Sequence, residues 1–200
     1  SDIHRLVASP EIEGGPRWSA DGASIYFWQS FDDGTWLVKS VDVITGQVAP
    51  VQGTRNGDAM IAVSPIGDRI ALARNVQGSQ SIEIIDLGLA EESMSIPDGA
   101  AAPTWSPEGD KLAYLDDGAQ LRIMDTESGA TVAIPSPYDA RLSDVEWGPD
   151  EDLVLARTSV APSLDRNQLP ESDAQKTYLV DINTGDITQL TIGSDGPSFG

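Results

Sequence analysis

The chain has no cysteine and a single histidine, His4, among its 200 residues. The first absence excludes disulfides, thiol nucleophiles and thiolate metal sites. The second leaves no histidine pair for a zinc centre. His4 lies in an edge segment at the start, with no neighbour in sequence suited to orient it as a Ser-His-Asp relay requires. Basic residues are also scarce, 12 Lys and Arg against 32 Asp and Glu, for a formal charge of -20. A field of that sign repels phosphate backbones, so nucleic acid is excluded as the expected partner, and solubility and basic partners are favoured. No apolar run approaches the roughly 20 residues that span a bilayer, so direct membrane insertion is not expected. The opening residues, Ser1-Asp2-Ile3-His4-Arg5, have neither the basic start nor the apolar core of a signal peptide, which predicts a cytosolic protein or one whose leader has been removed.

What the chain does contain is a repeat. The stretch PTWSPEGDKLAY from Pro103 recurs as PRWSADGASIYF from Pro16, AVSPIGDRIALA from Ala62 and VEWGPDEDLVLA from Val145, and a fifth copy begins at Pro197. With Trp18, Val63, Trp105, Trp147 and Phe199 as anchors, the steps are 45, 42, 42 and 52 residues. Periods of this size mark stacked supersecondary units. Each copy reads as a short strand ending on the anchor, a turn rich in Gly, Pro and Asp, and a second strand. Two further strands complete each unit, the third around Val38 to Val43, Ile82 to Leu87, Leu121 to Asp125 and Thr177 to Ile182.

Near the end of every third strand stands an aspartate: Asp42, Asp86, Asp125 and Asp181. A carboxylate at that place accepts backbone N–H bonds in the following hairpin, a structural role. The third strands carry apolar residues on both faces, as in Ile82, Ile84 and Ile85, where a sheet wet on one side would alternate. Four-stranded sheets buried on both faces and repeated about every 42 residues predict an all-β fold, a β-propeller of four complete blades with partial strands at both ends.

The predicted blades cover about 16–53, 59–97, 102–136 and 143–192. Residues 1–15 read as the outer strand of a preceding blade and 196–200 as the start of a following one. Those leftovers predict self-association or further blades in a longer chain, since closure removes exposed sheet edges. The long step before Phe199 comes from an insertion, Ser159 to Gln175, whose Pro, Ser, Asp and Asn content reads as an irregular loop.

Units such as PRWSADGASIYF and PTWSPEGDKLAY, each followed by an Ile/Leu-x-Ile/Val-x-Asp strand, resemble the WD40-like (PD40) repeats of the TolB type over nearly the whole chain. Departures are Val63 for the aromatic anchor, Gly148 for the turn serine, and a blade 4 turn shorter by one residue. The resemblance implies a non-enzymatic protein-interaction or sensory module of the cell envelope, periplasmic or extracellular. It also admits a second reading, the propeller domain of a larger hydrolase, either a prolyl-oligopeptidase-type peptidase or a glycan-active enzyme.

No catalytic residue is assigned. Connections from second to third strand and from blade to blade emerge at one end of a propeller, and they carry Phe31, Trp36, Arg55, Tyr138 and Arg141. Exposed aromatics and Arg anchor protein interfaces, so these five are the candidate binding residues for a protein partner. The alternative for two of them is that Phe31 and Trp36 pack against each other across their hairpin. The opposite end collects acidic hairpins around Asp21, Asp68, Glu108 and Asp150, expected to be solvated. No cofactor is expected; structural calcium is the one metal that such oxygen donors suit, although no Asp-x-Asp-x-Asp-Gly loop is present.

Overall fold

Three of the four first turns close in the same way. Gly22, Gly67 and Gly109 stand at φ of +70°, +79° and +75°, a region where only glycine is unstrained. Each donates its N–H to the carbonyl of the turn serine, Ser19, Ser64 or Ser106, at 2.9 to 3.0 Å. The chain therefore reverses within five residues, and the flanking apolar runs pair as antiparallel hairpins.

A computed structural model describes residues 6–7, 9–76, 78–89, 91–97, 99–135, 141–158 and 176–190. Sixteen strands form four separate four-stranded antiparallel sheets. Blade 1 comprises β1 (Ile12–Trp18), β2 (Ser24–Ser30), β3 (Trp36–Asp42) and β4 (Val48–Pro50). Blade 2 comprises β5 (Asp58–Val63), β6 (Arg69–Val76), β7 (Ser79–Asp86) and β8 (Glu91–Ile96). Blade 3 comprises β9 (Ala101–Trp105), β10 (Lys111–Leu115), β11 (Leu121–Asp125) and β12 (Thr131–Ala133). Blade 4 comprises β13 (Leu142–Trp147), β14 (Leu153–Thr158), β15 (Thr177–Asp181) and β16 (Ile187–Leu190). The order within each sheet is sequential, and the strands β1, β5, β9 and β13 neighbour one another in turn. Four blades thus follow one another as in a β-propeller.

The anchors occupy one register. Trp18 pairs with Ile25, Val63 with Ile70, Trp105 with Leu112 and Trp147 with Val154. All four inner strands also break register ahead of the anchor, between Gly14 and Arg17, Ala59 and Ala62, and Leu142 and Asp144, and opposite Ala113 and Leu115 for β9. A bulge there bends the strand and re-aims its side chains, a device common beside functional sites.

The blades cohere through three apolar interfaces. Val38 of blade 1 meets Ile61, Ile70, Leu72 and Ile85 of blade 2. The other face of blade 2, with Ala71, Ile82 and Ile84, meets Trp105, Leu112, Tyr114 and Met124 of blade 3. Leu115, Leu121 and Ile123 of blade 3 then meet Val145, Trp147, Val154, Tyr178 and Val180 of blade 4. Both faces of the middle sheets are dry, which is why their strands lack polar alternation. Val63, Trp105 and Trp147 thus pack backwards onto the preceding blade, and Trp105 also donates its indole N–H to the Ala62 carbonyl at 3.1 Å.

The beginning of the chain differs from the expectation. Residues 12–15, read from sequence as part of a preceding blade's outer strand, belong to β1, the inner strand of blade 1, and Gly15 lines the axis. Gly14 and Gly15 read as an exit loop because glycine is depleted in strands, yet the close approach of a neighbouring side chain requires them within one. Trp18 is 59% exposed while Trp105 and Trp147 are 6% and 7% exposed, because those two pack on a preceding blade and Trp18 has none to pack upon among the described residues. Leu6 and Val7 instead border a small cavity of 310 Å³ with Ile25, Phe27 and Val41 on that face. The fifth anchor Phe199, the insertion from Ser159 to Gln175 and most of the segment 1–8 lie outside the described residues.

Candidate functional site

One end of the propeller is built on the β2–β3 hairpin and on the loops that lead from blade to blade. In the hairpin, Asp33 accepts from the Thr35 hydroxyl at 2.6 Å and the Thr35 N–H at 2.9 Å. These bonds hold its carboxyl below the usual aspartate value. Trp36 is the first residue of β3, and its N–H donates to Asn56 Oδ1 at 2.8 Å. Its ring stacks on Trp28 with centroids 4.9 Å apart and planes 22° apart. Phe31 has a different partner, Lys39, whose ammonium lies 5.1 Å from the ring centroid. The packing of Phe31 against Trp36 is therefore replaced by two separate contacts, each made by a side chain from a neighbouring strand.

Arg55 is exposed, and its backbone N–H donates to Asp58 Oδ2 at 2.6 Å. Asp58 is fully buried and also accepts from Arg74 Nε at 2.6 Å, while Arg74 Nη1 lies 3.4 Å from Glu83. A buried charge cluster thus fixes the loop that presents Arg55. Arg141 is exposed ahead of β13, with Nη2 donating to the Asp117 carbonyl at 3.5 Å. Tyr138 lies outside the described residues. Phe31, Trp36, Arg55 and Arg141 come to the same end of the propeller, on three different blade connections.

An open cavity of 1070 Å³ runs along the axis between the inner strands. Its walls include Gly15, Arg17, Trp28 and Trp36 of blade 1, Thr104 and Trp105 of blade 3, and Asp144, Glu146 and Trp147 of blade 4. Trp28 is seated against β1: a Cβ on Gly14 would lie 2.2 Å from its Cζ2, and one on Gly15 2.9 Å from its Nε1. Sequence reasoning missed Trp28 and its glycine seat: counted from the turn Trp28 would face Gly15, and the bulge between Gly14 and Arg17 sets it opposite Gly14.

The opposite end carries the acidic hairpins. Asp42 Oδ1 accepts the N–H groups of Ile44 and Thr45 at 3.0 and 2.7 Å, and Asp86, Asp125 and Asp181 make equivalent pairs of bonds. Carboxylates of Glu108, Asp110 and Glu151 converge within 4.8 Å of one another. Lys111 Nζ is inserted beside them, 3.0 Å from Asp110 and 3.2 Å from Glu151. A divalent cation would meet an ammonium already paired with two of the three carboxylates. Glu151 also accepts the Glu108 N–H at 2.6 Å, so it ties blade 4 to blade 3.

No family model matches the chain. Among solved structures, TolB of Acinetobacter baumannii superposes with a TM-score of 0.73 at 18% identity, over 93% of this chain and 45% of that one. A putative TolB of Agrobacterium tumefaciens gives 0.71 at 17% identity, over 96% of this chain and 66% of that one. The chain has the TolB-like, WD40-like β-propeller fold. The WD40-type propeller of Myceliophteria thermophila Cps50 (Swd1) is similar at a TM-score of 0.64 and 18% identity, over 90% of this chain and 55% of that one. By sequence, 79 residues are 35% identical to an uncharacterized peptidase, YuxL, of Bacillus subtilis, covering 36% of this chain and 12% of that protein. This TolB-like propeller therefore spans less than half of the first solved relative and about an eighth of the peptidase.

Proposed function

We propose that this TolB-like propeller is a non-enzymatic interaction or sensory module that binds a protein partner at the end carrying Phe31, Trp36, Arg55 and Arg141, and that it works in the cell envelope or outside the cell. The observation that carries the reading is the placement of two aromatic and two arginine residues on three connections, β2–β3, β4–β5 and β12–β13, that emerge at one end. Such residues supply most of the energy of protein interfaces. Asp58 and Asn56 hold the backbone at Arg55 and Trp36, so less ordering of these two is left for the moment of binding. The net charge of -20 favours a protein over a nucleic acid in that role.

The test is capture of partners from the native source with the purified chain and with a Phe31→Ala, Trp36→Ala, Arg141→Ala variant whose melting is checked in parallel. A partner held by the parent chain and released by the variant supports the reading. Equal binding by both removes it.

The likeness to a peptidase over 79 residues favours a second reading, a propeller that serves a hydrolase. Its chemistry would then reside in a separate catalytic part, and peptide hydrolysis by the protein purified from its source would decide for it.

A further inference from the structure

Four of the chain's five tryptophans, Trp28, Trp36, Trp105 and Trp147, line the one axial cavity. Two of them belong to the core, since Trp105 and Trp147 are 6% and 7% exposed and their indole N–H groups donate to the carbonyls of Ala62 and Glu151. The other pair is presented. Trp36 is 38% exposed and lies on Trp28, which rests on a strand kept bare by Gly14 and Gly15. The result is a flat aromatic shelf whose orientation is set before any ligand arrives.

The polar groups around the shelf decide what it suits. Asp144 and Glu146 of β13 line the cavity, and their carboxylates are paired with Arg157 of β14 at 3.2 and 3.6 Å. Arg17 lines the same cavity from β1. Of the charged side chains that line the cavity, Asp144 and Glu146 are neutralised in part by Arg157, which stands outside the lining, and Arg17 adds one positive charge, so little net charge faces the cavity within a chain of net charge -20. A cation would gain little there beyond its contact with the ring. An anion would have to enter against the field of the whole molecule. A neutral polyhydroxylated ring fits both halves of the wall: its C–H face covers an indole, and its hydroxyls meet paired acceptors and donors without desolvating a lone charge. The volume of 1070 Å³ suits more than one such ring.

We propose that the axial cavity binds a neutral oligosaccharide, with one pyranose ring stacked on Trp36 and its hydroxyls bonded to Asp144, Glu146 and Arg17. This site lies along the axis and stands apart from the protein-binding reading, with which it shares only Trp36.

The test uses the whole chain with two neutral probes, maltotriose and chitotriose, followed by tryptophan fluorescence and titration calorimetry. The expected result is saturable binding of at least one trisaccharide below roughly 10 mM, little changed by added salt because the ligand is uncharged. Trp36→Ala, at a half-exposed position that leaves the blade interfaces intact, weakens it about tenfold or more. Asp144→Asn with Glu146→Gln, which keeps the shape of the wall, weakens it as well. Phe31→Ala with Arg141→Ala leaves it unchanged, which separates this site from the protein-binding one. Absence of saturable binding by both sugars, or binding that Trp36→Ala does not weaken, overturns the proposal. So does salt-sensitive binding of tetralysine in place of either sugar, which would reassign the cavity to cations.

Discussion

Gly14 and Trp28 face each other across the first hairpin so closely that a methyl group on Gly14 would sit 2.2 Å from the Trp28 ring. Glycine is used here for the space that its missing side chain leaves. The ring in turn supports Trp36, so the shape of the axial cavity depends on a missing atom.

Gly14→Ala should therefore displace Trp28 and break its stack with Trp36. Overpacking of this kind costs about 1–3 kcal/mol. Near-ultraviolet circular dichroism should lose the signal of the stacked pair while far-ultraviolet spectra keep the strands. An unchanged aromatic spectrum would contradict the seat described above.

The anchors should not be equivalent in energy, although they are equivalent in sequence. Trp105→Ala removes a buried indole and its bond to Ala62, at about 3–5 kcal/mol. Trp18→Ala acts on a ring that is 59% exposed and should cost under about 1 kcal/mol. Urea melts of the two variants test the difference, and equal losses would mean that Trp18 is covered in solution.

Asp58→Ala would leave Arg74 buried without its closest carboxylate, a change that costs about 3–5 kcal/mol when one partner of a buried pair is removed. It would also free the Arg55 backbone N–H. The expected outcome is a large fall in the urea midpoint together with faster hydrogen exchange in the 54–58 loop. A midpoint close to that of the parent chain would show that the cluster adds nothing.

Acid should weaken the hairpins that join third and fourth strands. Asp42 is held below the usual aspartate value by the Thr45 N–H and then the Thr45 hydroxyl, Asp125 by the Ser128 hydroxyl and N–H, and Asp181 first by the Thr184 N–H. Since each native value lies below the unfolded one, the stabilisation is complete above the ordinary aspartate range and is lost as pH falls through the native values. Melting temperatures measured from neutral pH downward should drop on that limb. A triple Asp→Asn variant at 42, 125 and 181 should show a shallower drop, and identical acid limbs would refute the linkage.

Much of the fold was legible because a hairpin is a local object. The turn serines, the glycines at 22, 67 and 109 and the period-two apolar runs specify β1 to β3 of each blade without reference to distant residues. The error at Ile12 to Gly15 has the same origin in reverse. Glycines there look like a loop until the Trp28 ring, brought across the hairpin, explains them. At the candidate site, Phe31, Trp36, Arg55 and Arg141 could be assigned to one end from connectivity alone. The pairing of Trp36 with Trp28 and of Phe31 with Lys39 could not, since it depends on rotamers chosen in a packed environment.

By itself the sequence determined the number of strands per unit, their order and the place of each anchor, all of which follow from steric rules acting over a few residues. Only the tertiary structure decided which anchors are buried, which tryptophans share the axis and which charges neutralise one another. Those outcomes rest on contacts between residues some 40 positions apart, such as Trp105 with Ala62 and Glu108 with Glu151. They arise when one twisted sheet is laid on the next, at an angle that a single repeat does not encode.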